Sequence, residues 1–175
     1  KDGRVIYIGD ELVKDPTSHP AFEQISQTYA ELYDLKMAPE NIDLMSYQEN
    51  GERFATYFLK PRTQAELEKR TQAHRFITEW SYGLLGRSPD ATASNVTGMA
   101  MKPDVLEESD GGFPDHLATI WEHLRTNDIF LTYAIVPPPA ARNPEYYQSK
   151  GIDSPTLRVT KEDDAGVIIN GMKFL

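Results

Sequence analysis

Thr63-Gln-Ala-Glu66 opens the longest helical stretch of the sequence. In a Thr-x-x-Glu capping box the threonine oxygen takes one orphaned amide of the first turn, and the glutamate reaches back to another. Phe76, Ile77, Trp80 and Leu84 then fall on one face at helical spacing. Gly86 tolerates the left-handed conformation common just past a helix end, so the spacing predicts a helix from Thr63 up to that glycine. Such a helix is two-faced and has to bury its apolar side against other elements.

Two further helices are predicted to supply that partner. Phe22, Ile25, Tyr29, Leu32 and Tyr33 recur with helical period, with Pro20 suited to the first helical position. Leu117, Ile120, Trp121 and Leu124 form a stripe on a helix starting near Pro114. Hairpin signals lie between and after them. RVIYIGDELV turns at Gly9-Asp10, IDLMSY and RFATYFL flank a turn at Asn50-Gly51, and GVIINGMKFL carries Asn170-Gly171 between apolar residues. The expected fold class is therefore mostly α with small β-hairpins.

The apolar run IFLTYAIV gives way to Pro137, Pro138 and Pro139 and a loop rich in chain breakers. A domain boundary is expected there, with residues 1–135 forming a helical domain. Residues 136–175 then form a linker and the truncated start of a β domain, since one or two hairpins cannot cover both faces of a sheet.

Composition narrows the function. Hydrophobic residues make up 39% of the 175, enough for one ordinary core. A formal charge of −9 repels polyanions, so no nucleic acid partner is expected. The absence of cysteine excludes a disulfide framework, a zinc-thiolate site and an iron–sulfur cluster held by these residues. No long apolar run suggests a membrane span, and KDGRVIYIGD lacks the features of a signal peptide, so a soluble, cytoplasmic protein is expected.

Among chemistry-bearing residues, His19, His74, His116 and His123 show no metal-ligand spacing, so no metal is expected. Phosphate-cradling loops and the Gly-x-Ser-x-Gly elbow are absent. The EESD run at 107–110 reads as a solvated loop, and Asn95-Val96-Thr97 as an ordinary polar loop. Arg87, in SYGLLGRSPDATAS, has two readings. A cation after a helix complements the negative end of the macrodipole, or it serves a binding pocket.

Four separated motifs bear on that choice: DGRVIYIGDELVKDPTSHPAF, GRSPD after an EW-containing helix, YAIVPPPAARNP and GVIINGMKFL. In order and approximate spacing they resemble the 4-hydroxyphenylacetate 3-monooxygenase family, and the chain is similar to the N-terminal portion of its oxygenase component. The resemblance implies an acyl-CoA dehydrogenase-like fold, with a helical domain followed by the start of a middle β domain. It implies a monooxygenase that hydroxylates a phenolic substrate with dioxygen, using FAD as FADH2 from a separate flavin reductase. It further implies a homotetramer when full length, and no catalysis by these 175 residues alone.

The resemblance also implies site residues. Arg87 matches the family arginine beside the substrate phenol, where a permanent cation favours phenolate. Ala91 stands where many members have tyrosine, and Tyr133 where the 4-hydroxyphenylacetate enzymes have histidine, so Arg87, Ala91 and Tyr133 are the expected substrate contacts and Arg87 and Tyr133 the catalytic ones. Tyr133, Ala134 and Ile135, then Pro139, Ala140, Ala141 and Arg142, match the flavin contacts. Two alternatives stand beside this reading: an inactive homologue or helical interaction module, and a lyase like 4-hydroxybutyryl-CoA dehydratase. The lyase has cysteines at the positions of Arg87 and Ala91.

Overall fold

A computed structural model describes residues 3–86, 89–106, 113–164 and 166–174. The chain divides into two compact units, Lys1–Leu131 and Thr132–Leu175.

The first unit opens with a hairpin of β1 (Ile6–Ile8) and β2 (Glu11–Val13), antiparallel with Ile6 opposite Val13. Helix α1 spans Glu23–Met37. Its start corrects the expectation built on Pro20. His19 holds residues 20–22 in a separate turn, its carbonyl accepting from Phe22 and Glu23 and its ring Nδ1 accepting from the Ala21 amide at 3.1 Å.

A one-turn α2 (Ile42–Met45) leads into β3 (Ser46–Glu49) and β4 (Glu52–Ala55), a hairpin in which Tyr47 faces Phe54. Its turn is the expected one: Asn50 and Gly51 have φ of 53° and 84°, the left-handed pair a type I′ turn requires. The flanking apolar runs are shorter as strands than the sequence suggests. IDLM is helical, and Thr56–Phe58 is a 3-10 turn buried in the core.

Helix α3 (Gln64–Trp80) starts as predicted, with Glu66 accepting from the Thr63 amide at 3.0 Å while Thr63 Oγ1 accepts from the Glu66 amide at 3.2 Å. It ends six residues before Gly86. Tyr82 and Gly83 take left-handed φ of 53° and 74°, and the Gly83 amide closes on the Thr78 carbonyl at 2.8 Å. Leu84 is therefore off the apolar face and 85% exposed, whereas Leu85 is buried.

Helix α4 (Asp90–Met101) stands where the sequence reading had only a loop and a polar Asn-Val-Thr segment. Ala93, Thr97 and Ala100 bury one narrow face of it. Thr97 returns its hydroxyl proton to the Ala93 carbonyl at 2.9 Å and accepts from Trp121 Nε1 at 3.1 Å, so its polarity is satisfied inside the core. Trp121 comes from α5 (Phe113–Thr126), whose stripe matches expectation except at Ile120, which is 53% exposed. The core of this unit gathers Leu32, Met45, Phe54, Tyr57, Phe58, Ile77 and Trp121.

A polar cluster lies beside that core. Lys36 Nζ is buried, donating to Tyr57 Oη at 2.6 Å and to Asp128 Oδ2 at 2.7 Å. It sits 3.6 Å from the centroid of the Tyr33 ring. Tyr57 Oη donates to Asp128 Oδ1, and Tyr33 Oη donates to the Asp128 carbonyl. Arg125 forms a second cluster, bonded to Glu122, Tyr47 and Glu49 and stacked on Phe54 and Trp121.

The second unit contains α6 (Pro144–Lys150) and an antiparallel pair, β5 (Arg158–Asp163) with β6 (Gly166–Asn170). Asn170-Gly171 is not a hairpin turn, which corrects the sequence reading. Residues after it form separate bridges, Met172 to Thr156 and Phe174 to Val136. Gly171 is required for another reason: a Cβ there would collide with the Thr156 main chain.

Candidate functional site

The connection between α3 and α4 carries the first expected site residues. Arg87 lies outside the described residues, as does the EESD run. Ala91 is the second residue of α4 and is half-buried. Its amide donates to Asp90 Oδ1 at 2.8 Å. Proline at the N-cap, Pro89, offers no side-chain cap. The first turn is instead served by the carboxylate of Asp90, favourably placed at the positive end of the helix dipole.

Asp90 is 7% exposed, and its other oxygen meets His74 Nδ1 of α3 at 2.7 Å. His74 Nε2 in turn lies 3.2 Å from Ser94 Oγ, one turn further along α4. Tyr29 is held above its ordinary pKa, first by burial and then by the negative charge of Asp90. His74, Asp90 and Ser94 were not among the expected site residues. Their relation is invisible without α4, because only a helix beginning at Asp90 puts positions 90 and 94 on one face. Among the described residues no three His, Asp or Glu side chains group around a metal position. His19 pairs with Glu11, and His123 with Asn127.

The second unit carries the remaining expected residues. Tyr133 is half-buried, Ala134 and Ile135 are exposed, and Val136 forms an isolated bridge with Phe174. The Ile135 and Val136 amides both donate to the Phe174 carbonyl, at 3.1 and 3.0 Å, and Lys173 Nζ donates to the Ile135 carbonyl. Pro139–Arg142 is a single 3-10 turn, tied by the Ala141 amide to the Pro138 carbonyl at 2.8 Å. Pro138 is buried while Pro139, Ala140 and Arg142 face outward. Side chains this small leave the main chain open to a flat or anionic ligand, and Arg142 adds an exposed guanidinium suited to phosphate. These features fit a dinucleotide better than a metal.

No helix among the described residues is long and apolar enough to cross a membrane. A sequence model described as 4-hydroxyphenylacetate 3-hydroxylase N terminal matches residues 1–175. The chain is 31% identical over 170 residues to the 4-hydroxyphenylacetate 3-monooxygenase oxygenase component of Thermus thermophilus, covering 94% of this chain and 33% of that protein. It thus spans about a third of that relative's length. Among solved structures it is similar to the oxygenase component (HpaB) of 4-hydroxyphenylacetate 3-monooxygenase complexed with FAD and 4-hydroxyphenylacetate. The TM-score is 0.79 at 33% identity, over 92% of this chain and 33% of that one. An archaeal 4-hydroxybutyryl-CoA dehydratase from N. maritimus shares the fold, with a TM-score of 0.67 at 19% identity over 95% of this chain and 33% of that one. The architecture is accordingly the N-terminal portion of an acyl-CoA dehydrogenase-like fold.

Proposed function

Since the chain belongs to the 4-hydroxyphenylacetate 3-hydroxylase family along its whole length, we propose that it is the N-terminal portion of a two-component monooxygenase that hydroxylates a phenol. The observation that carries this reading is the family match over residues 1–175; the GRSPD and YAIVPPPAARNP motifs of the sequence support it. Reduced FAD, supplied by a separate flavin reductase, provides the two electrons that divide dioxygen between the substrate ring and water.

The protein's own groups bind and orient the phenol. Arg87, always charged, holds the phenol oxygen as its anion, which raises electron density at the ring carbon next to it. Tyr133 donates its hydroxyl proton in a hydrogen bond to substrate or flavin, the role open to a phenolic hydroxyl that is a donor first. Ala134 and Ile135, with Pro139, Ala140 and Ala141, present main chain to the flavin, and Arg142 its phosphate-binding guanidinium. Ala91, in place of a tyrosine, leaves room for a phenol bulkier than 4-hydroxyphenylacetate and removes one donor to it.

The same reading includes a cytoplasmic homotetramer and a domain boundary after residue 135, with residues 136–175 as a linker and the beginning of the middle β domain. The division of contacts after Leu131 supports a boundary in this region.

The test is turnover by the full-length protein with FADH2, oxygen and a panel of phenols. Catechol formation is expected, with Arg87→Ala lowering kcat/KM by about 100-fold, as for loss of a donor to a developing oxyanion. No product from any phenol, together with no flavin bound by the folded protein, would leave an inactive homologue as the better description.

A further inference from the structure

Helix α4 begins without a side-chain cap, yet its first two turns are the part of the helix nearest in sequence to Arg87. What fixes them comes from another helix. One imidazole, His74 of α3, reaches both turns: Nδ1 to Asp90 Oδ2 at 2.7 Å and Nε2 to Ser94 Oγ at 3.2 Å. Asp90 spends its second oxygen on the Ala91 amide. With both ring nitrogens engaged the imidazole cannot swing. The neutral ring donates from Nδ1 and accepts the Ser94 proton at Nε2, while the charged ring donates at both.

The order Ser, His, Asp invites a hydrolytic reading, but the location argues against it. Ser94 lies inside α4, where the neighbouring amides are committed to helix hydrogen bonds, so no pair of donors is available for an oxyanion.

We propose that His74 is a positioning residue for phenol hydroxylation, acting through Asp90 to fix the end of α4 that carries Ala91 and follows Arg87. The inference rests on the reading that Arg87 and Ala91 border the phenol. The described residues on either side of Arg87 are anchored. Leu85 is buried on the α3 side, Pro89 and Asp90 on the α4 side. If His74 is removed, Asp90 keeps its charge in a 7% exposed position without its partner on α3, and the first turn of α4 is free to move or fray. A shift of about 1 Å at a positioning element can cost on the order of 100-fold in rate.

The experiment uses the full-length protein and a matched pair of variants. His74→Asn puts an amide donor near the place of Nδ1 and keeps the Asp90 bond. His74→Gln puts it near Nε2 and gives that bond up. His74→Gln is expected to raise the phenol KM by about tenfold and divert oxygen consumption to hydrogen peroxide, with FAD affinity within about twofold of wild type. Amide exchange at residues 91–94 should accelerate in parallel. His74→Asn should restore KM, coupling and protection. A purely structural histidine would instead lower the melting temperature equally in both variants without separating their KM values, and that outcome overturns the inference. Arg87→Ala, measured alongside, separates the two levels. If it weakens phenol use while His74→Gln does not, only the role of His74 falls. If Arg87→Ala has no effect, the phenol site itself is misplaced and the inference falls with it.

Discussion

Lys36 shows how much a single buried charge governs here. The residue is 2% exposed, and its ammonium depends on Asp128, Tyr57 and the face of Tyr33 for everything water would have supplied. Lys36→Met should therefore destabilise the chain by about 2 kcal/mol or more in urea unfolding. This is below the roughly 3–5 kcal/mol of a fully buried pair, because the Asp128 side chain is 32% exposed and water rescues part of it. Removing both partners in Lys36→Met/Asp128→Asn should cost less than the single change, since no lone carboxylate is left behind. A double variant less stable than either single would contradict this account. The same cluster fixes a pH response. Burial, with the Asp128 charge added, pushes Tyr33 from 10.0 up to about 12, and pushes Tyr57 higher still. Unfolded phenols release their protons near pH 10 while the folded ones keep them. The native state thus binds more protons, and stability falls as pH rises through the window from 10 to about 12. Burial lowers Lys36, which works in the opposite direction just below its ordinary 10.5. The two effects overlap between pH 10 and 10.5, and above that the tyrosines act alone. The melting temperature should drop between pH 10 and 12, and Tyr33→Phe should make the drop shallower.

At the scale of elements, legibility followed the strength of local chemistry. The capping box of α3 and the Asn50-Gly51 turn are set by a few adjacent residues, so both could be read directly from the sequence. Helix α4 could not. ATASNVTGMAM has only Val96, Met99 and Met101 as larger apolar residues, which form no long stripe, and it includes glycine and β-branched threonine, both weak helix signals. What makes it a helix is tertiary: Ala93, Thr97 and Ala100 are small because α5 lies close, and Trp121 takes the space and bonds Thr97. Its absence from the sequence reading also hid Asp90, Ser94 and their partner His74. Gly171 failed differently, being selected by close approach to Thr156 rather than by a turn. The flavin contacts proposed for the second unit rest only on family resemblance, because Ala134, Ala140 and Ala141 carry no chemistry of their own. One element-scale consequence is testable at Gly98, in α4. It has an ordinary negative φ, and an added Cβ would meet open space, so glycine there only raises the entropy of the unfolded chain. Gly98→Ala should stabilise the chain by about 0.5–1 kcal/mol, measured by thermal or urea unfolding. A loss of stability would mean that this face of α4 is more crowded than it looks.

Across the whole molecule the two units are built to different degrees. The first encloses a core in which Leu32, Thr56, Phe58, Ala93 and Thr97 are fully buried, flanked by the Lys36–Asp128 and Arg125–Glu49 polar clusters. The second is organised around a two-stranded pair in which Val159, Val167, Ile168 and Ile169 are 54%, 55%, 55% and 57% exposed. Three consecutive apolar residues on β6 point to both faces in turn, the pattern of a strand covered on both sides. An isolated two-stranded hairpin is marginal in water, and apolar strands left bare favour association. Under the proposed reading, the cover is the remainder of the middle β domain. In the 175-residue chain, amides of β5 and β6 should therefore exchange with solvent within minutes, while those of α3 and α5 that face the core exchange only on global opening. Hydrogen exchange followed by mass spectrometry measures both at once. Equal protection of β6 and α3 would require burial of Val167, Ile168 and Ile169 by association between copies. Dilution distinguishes that cause, because protection arising from association is lost as the protein concentration falls.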